Sequence, residues 1–172
     1  MRVSFRIMEP YGEKEIRACF VNCSKGEARR ISLPRDLAEL PWADLDFLGW
    51  RDPGAPDRGY LVVERAGELV GVTLRTPNSV SRSFTKTTAC AMCLTGHPGS
   101  GVCLLAAPKA GASGRQGNTV GAYFCADLAC PLYVRGKKQS GLLRYEESLT
   151  VDERIERTLT NVYLFLDKVI AP

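Results

Sequence analysis

Two pairs of thiols constrain this chain more than any other feature. Cys90 and Cys93 stand two residues apart in TTACAMCLTG, and Cys125 and Cys130 follow in YFCADLACPLYV. Seven cysteines occur in all, at 19, 23, 90, 93, 103, 125 and 130, so most fall between residues 90 and 130. An odd number of thiols in a chain without a secretion signal argues against a disulfide framework. A redox pair at Cys90 and Cys93 needs a helix beginning at the motif, where the helix dipole activates one thiol. Gly96, Pro98 and Gly99 oppose a helix there. A metal site fits better. A C-x2-C turn offers two sulfurs, and a strand end plus a helix start offers two more for a tetrahedral ion. The gap of four between Cys125 and Cys130 is looser than the usual two. His97, the single histidine, and Cys103, in mid-strand, remain alternative ligands at this stage.

The rest of the pattern surrounds that site. Gly12 to Ile31 reads as helical, with Ile16, Phe20 and Cys23 on one stripe and a capping box at Ser24 and Glu27 where a second helical turn starts. On that helix Cys19 and Cys23 share a face as small buried hydrophobes. Pro34, Pro41 and Pro53 break the chain, and WADLDFLGW between them reads as an irregular segment anchored by its large apolar groups. YLVVE (60–64) and LVGVTL (69–74) form a hairpin across RAGE, and TPNSVSRSFTKTT (76–88) is a polar loop. GVCLLAA (101–107) and TVGAYFC (119–125) are strands, separated by the flexible KAGASGRQGN. Leu149 to Ile170 is the clearest helix. Thr150 and Glu153 box its start, and Val151, Ile155, Leu159, Val162, Leu166 and Val169 form its apolar stripe, which docks on its own domain. Knuckle, hairpin and a short helix carrying the last ligands, in that order, describe a treble clef. The expected fold is therefore α+β: a small antiparallel sheet, a four-cysteine treble-clef finger, an N-terminal helix and a long C-terminal helix.

At 172 residues the chain can build a real core, so the metal is not needed merely because the protein is small. No apolar run reaches membrane-spanning length, no long apolar leader stands at the start, and an intracellular, cytoplasmic protein is expected. Residues 1–7 match no element, and Met8 is an alternative start. Charge is uneven. Residues 90–143 carry five basic side chains against Asp127 alone, giving +4, whereas residues 144–172 sum to −2. The thiol-rich middle suits an acidic partner surface or a phosphate backbone. Four thiolates leave a zinc ion no open position, so the ion is structural. No nucleophile–base pair and no phosphate-cradling loop is present, which favours a binding protein over an enzyme.

The ordered set FVNCSKGEARRISLP, FLGW, YLVVERAGELVGV, CAMC, VCLLAA and VGAYFCADLAC resembles the FusB-type elongation factor G-binding family, in particular its C-terminal treble-clef zinc-finger domain. The likeness runs from about Ile16 to about Val134 and includes no counterpart of the family's N-terminal helical domain. It implies binding to elongation factor G, release of that factor from the ribosome even when fusidic acid holds it there, and a structural Zn²⁺ on Cys90, Cys93, Cys125 and Cys130. Cys103 falls on a serine-like position, which argues against it as a ligand. Partner contacts map to Tyr123 and to Phe165 in FLDK. The final cysteine gap is one residue shorter than in the resistance proteins. Ala89 and Val120 replace an aromatic and a basic residue. Lys137 and Lys138 in RGKK are added as partner contacts, to the factor or to ribosomal RNA. The domain plan is 1–15 as an extension, 16–145 as the binding domain with its finger at about 88–138, and 146–172 as the terminal helix. The rival reading is a nucleic-acid-binding zinc module using Arg115, Arg135, Lys137 and Lys138 on phosphates.

Overall fold

The computed structural model describes residues 7–77, 88–142 and 147–172. Its frame is an antiparallel five-stranded sheet in the order β1-β2-β3-β6-β7, built from β1 (Phe47–Asp52), β2 (Ala55–Arg65), β3 (Glu68–Arg75), β6 (Val102–Pro108) and β7 (Thr119–Cys125). A separate two-stranded ribbon pairs β4 (Thr88–Ala89) with β5 (Gly96–His97). Among the described residues the α-helices are α1 (Glu13–Ala18), α2 (Lys25–Arg29), α3 (Gly111–Arg115), α4 (Cys130–Val134) and α5 (Val151–Ile170).

Strand alternation sends neighbouring side chains to opposite faces. Here both faces are covered. Phe47, Leu61, Val63, Val72 and Leu74 join one core with α5 and the finger, whereas Leu48, Trp50, Tyr60 and Val62 join a second core with the N-terminal segment. The β2–β3 hairpin turns through Ala66 and Gly67, both at positive φ (51° and 81°), as a two-residue turn matched to strand twist requires. The polar loop expected over 76–88 lies mostly outside the described residues.

α5 follows its sequence pattern. Thr150 Oγ1 accepts from the Glu153 backbone N–H, and the Glu153 carboxylate accepts from that of Thr150. Ile155, Leu159, Val162, Leu166 and Val169 are buried against the sheet and finger, while Val151 at the first turn is exposed.

Three expectations change. The helical segment expected over Gly12 to Ile31 does start again at the Ser24 box, but its stripe is interrupted after Ala18 and the two helices are short. The chain bends out at Cys19, and Phe20 bridges Gly71 of β3, because Asn22 is spent on the sheet. Asn22 Oδ1 accepts from the Thr73 N–H while Nδ2 donates to the carbonyls of Thr73 and Pro108. It thereby ties β3 to β6, whose ladder holds only the Arg75–Ala106 pair. Cys19 and Cys23 accordingly lie outside the helices. Second, WADLDFLGW is not irregular throughout: its FLGW half is β1, paired along β2 from Phe47↔Val63 to Arg51↔Gly59. Third, KAGASGRQGN contains α3 and is closed by Lys109 N–H donating to the Asn118 carbonyl at 2.9 Å.

Candidate metal centre

The ribbon β4–β5 holds the first thiol pair. Cys90 N–H donates to the Thr95 carbonyl and Leu94 N–H to the Cys90 carbonyl, closing a turn with Leu94 at φ 60°. Met92 N–H points at Cys90 Sγ, 3.4 Å away. The turn is fastened to the sheet by Ala91 N–H donating to the Tyr123 carbonyl, and to α5 by Asn161 Nδ2 donating to the Met92 carbonyl.

The second pair comes from the end of β7 and the start of α4. Asp127 Oδ1 accepts from the Ala129 N–H, and Leu128 N–H donates to the Cys125 carbonyl. Leu128 takes φ 57°, and its fully buried side chain lies over β1. A Cβ on Gly49 would stand 2.6 Å from the Leu128 carbonyl oxygen, so the glycine of FLGW is what lets the ligand loop reach the sheet. Arg135, just after α4, clamps the same unit through a two-pronged ion pair with buried Asp46, at 2.5 and 2.8 Å.

Cys90, Cys93, Cys125 and Cys130 thus converge. All four are buried, and their ligand atoms lie within 4.8 Å of one another. Cys90 and Cys130 sulfurs are 3.7 Å apart, and those of Cys93 and Cys125 are 3.5 Å apart. Four sulfurs each about 2.3 Å from a tetrahedral ion lie about 3.8 Å from one another, whereas a disulfide requires about 2.05 Å. The sulfur separations across the two halves match a shared tetrahedral ion and far exceed a disulfide bond, which is the arrangement of a metal site and not of a dithiol switch. Electrostatics agree. Thiol donors from Cys125, Cys130 and Cys93 pull the Cys90 thiol far below its ordinary value, while hydrogen bonding to Cys125 and burial push Cys130 far above it. Without a cation the cluster cannot ionise fully; a bound divalent ion removes that conflict. A soft four-sulfur set suits zinc or iron over hard ions such as magnesium and calcium.

His97 is buried and stands outside the four-sulfur set, with Nε2 3.3 Å from Cys125 Sγ and its ring edge-on to Tyr133 at 4.7 Å. It is a neighbour of the centre and orients one ligand. Cys103 Sγ lies near Arg51, 3.9 Å from Nη1, and is not part of the cluster.

A profile described as the FBP C-terminal treble-clef zinc-finger matches residues 15–169. The chain belongs to that family. Its treble clef is the unit just described: the β4–β5 knuckle, the β6–β7 hairpin, then α4. No curated protein matches the sequence significantly. Among solved structures, the fusidic acid resistance protein FusC is similar at 16% identity and a TM-score of 0.47. That likeness covers 86% of this chain but 58% of FusC, so the FBP-family chain described here spans less than two thirds of its length.

The remaining sequence-derived candidates fall into different places. Tyr123 points outward and is 50% exposed. Lys137 and Lys138 are exposed after α4, paired with Asp44 and Asp127 respectively. Phe165 is buried, edge-on to Phe124 at 5.2 Å. An aromatic at that depth supports the strand carrying Tyr123 and presents no surface of its own. Arg135 is committed to Asp46. Asp46 and Asn22 escaped the sequence reading because each works through contacts distant in sequence, whereas Asp127 is held by its near neighbours Ala129, Tyr133 and Lys138. No helix among the described residues is long and apolar enough to cross a membrane.

Proposed function

We propose that this chain binds elongation factor G through the outer face of its finger and, in the cytoplasm, promotes release of the factor from the ribosome. Membership of the FBP family supports the partner, and the outward-facing Tyr123 carries the surface. The tyrosine sits on β7 where the knuckle is fastened, and Leu94 on the knuckle is exposed as well. Half-exposed aromatics on a rigid frame are efficient contact residues because little side-chain freedom is lost on binding. Lys137 and Lys138 add positive charge beyond α4 and steer an acidic partner surface. The ion is a structural Zn²⁺ on Cys90, Cys93, Cys125 and Cys130. Four protein ligands leave it no site for substrate, so the activity is binding without turnover. Release follows if the protein prefers the conformation of the factor that leaves the ribosome, since a ligand shifts a population only by its differential affinity.

The test is capture of purified elongation factor G from the same host. Wild type retains the factor. Tyr123→Ala, with unchanged metal content and thermal midpoint, loses at least ~10-fold in affinity, as removal of a central aromatic anchor does. Cys125→Ser loses both metal and binding. Failure of the wild type to bind the factor in any nucleotide state refutes the proposal. Of the residues the nucleic-acid reading would place on phosphates, Arg135 is committed to buried Asp46.

A further inference from the structure

Beside the finger, a cavity of about 350 Å³ opens between the knuckle, α4 and the first turns of α5. Its volume is at the low end of the range for small-molecule sites, roughly 300–1,000 Å³. Three side-chain atoms among the described residues are buried without a hydrogen-bond partner: Thr88 Oγ1, Arg154 Nε and Arg157 Nε. All three residues line this one cavity. Elsewhere the protein satisfies its buried guanidiniums: Arg17 donates to three backbone carbonyls and Arg135 grips Asp46 with both prongs. A buried donor left without an acceptor is unfavourable, and three around one space point to a missing acceptor.

We propose that this cavity is a binding site for an oxyanion carried on an apolar body. The charge in its walls fits. Lys138, Arg154 and Arg157 contribute three positive groups against Glu147. Glu147 occupies Arg157 Nη2 and leaves Nε free, while Lys138 is shared with Asp127. Among the described residues Arg154 makes no side-chain ion pair. Guanidinium N–H groups favour carboxylate and phosphate oxygens, which accept several donors at once. The other walls explain the body. Leu94, Val134 and Leu142 line the same space, and its surface is more apolar than polar. An inorganic anion would satisfy the arginines and leave these residues uncovered. The site does not include Tyr123, although Leu94 and Lys138 border both, and it stands whether or not elongation factor G is the partner.

The test uses the metal-loaded full chain labelled with ¹⁵N, following the arginine Nε–Hε resonances during titration with phenyl phosphate, benzoate, inorganic phosphate and benzyl alcohol. Phenyl phosphate or benzoate, or both, is expected to shift the Arg154 and Arg157 signals saturably; which one binds identifies the head group as phosphoester or carboxylate. Inorganic phosphate is expected to bind at least ~10-fold more weakly, because it covers no apolar wall. Benzyl alcohol, lacking the anion, leaves the signals unmoved. Arg154→Gln is expected to weaken the better probe at least ~10-fold, from loss of a charged donor, and Arg154→Lys to retain part of the affinity. Thr88→Val, which removes a donor but no charge, serves if Arg154→Gln changes the metal content or thermal midpoint, and is expected to weaken binding ~3-fold or more. The proposal is overturned if neither aromatic anion gives a saturable shift, if binding survives these substitutions, or if inorganic phosphate or benzyl alcohol binds as well.

Discussion

Replacing Gly49 with alanine tests how rigidly the sheet holds the metal loop. The added Cβ would meet the Leu128 carbonyl oxygen at 2.6 Å, the Leu128 Cβ at 2.7 Å and the Leu128 carbonyl carbon at 3.4 Å. Two of these three atoms are backbone, in the loop between ligands Cys125 and Cys130, so no rotamer change relieves the contact. Overpacking of this kind costs about 1–3 kcal/mol, and the upper end applies where backbone must move. Removing a glycine from the unfolded chain returns roughly 0.4–1 kcal/mol. The net destabilisation is therefore about 2 kcal/mol, or roughly 4–8 °C in midpoint for a domain of this size. If the strain falls on the ligand loop, metal affinity drops about 30-fold, since each 1.4 kcal/mol is tenfold. Thermal unfolding of the loaded protein and competition with a colorimetric chelator measure the two quantities. Gly54→Ala is the control, because its nearest neighbour, Asp52 Oδ1, would stand 3.6 Å from the new atom. A Gly49→Ala protein with wild-type midpoint and wild-type metal affinity would refute the claim that this contact is rigid.

Asp46→Ala strands the buried Arg135 guanidinium and is expected to lower stability by about 3–5 kcal/mol in urea unfolding, whereas the apolar double variant Asp46→Leu/Arg135→Met recovers most of the loss. Chelation of the metal is expected to raise amide exchange at Thr88–His97 and Cys125–Val134 well before β2 and β3, and reloading should release protons measurable with a pH indicator. Hydrogen bonds from the Ser24 backbone and side chain hold the Glu27 carboxyl below its usual range. Its contribution to stability is therefore complete above the ordinary glutamate value of about 4.3 and lost as pH falls through the lowered one; an NMR titration that finds Glu27 at or above the ordinary value contradicts this, and Ser24→Ala should raise it. Burial pushes the Cys19 thiol up to about 12, so at pH 8 it should resist iodoacetamide in native protein and react at once in denaturant.

Local chemistry was legible without coordinates. The capping boxes at Ser24–Glu27 and Thr150–Glu153, the apolar stripe of α5, the β2–β3 hairpin and the four ligand cysteines all depend on residues near one another in the chain or on a ligand chemistry that few residue types can perform. Periodicity and donor type are properties of sequence, and they carried these elements and the treble clef. What escaped depends on partners far away. Asn22 breaks an otherwise helical stripe because Thr73 and Pro108 offer it four hydrogen bonds across the sheet. FLGW became a strand because β2 supplied a ladder, and its glycine matters because Leu128 arrives from nearly eighty positions later. Phe165 and Tyr123 are both aromatic residues in apolar company, and only packing sent one to the core and the other to the surface. His97 could have been a ligand by type; its exclusion was decided by Cys130, which the turn at Leu128 carries into the fourth position. Sequence determined which groups could bind a metal and which segments could form regular structure. Tertiary structure decided which of them meet, because burial and close approach are set by the surfaces that pack together and not by spacing along the chain.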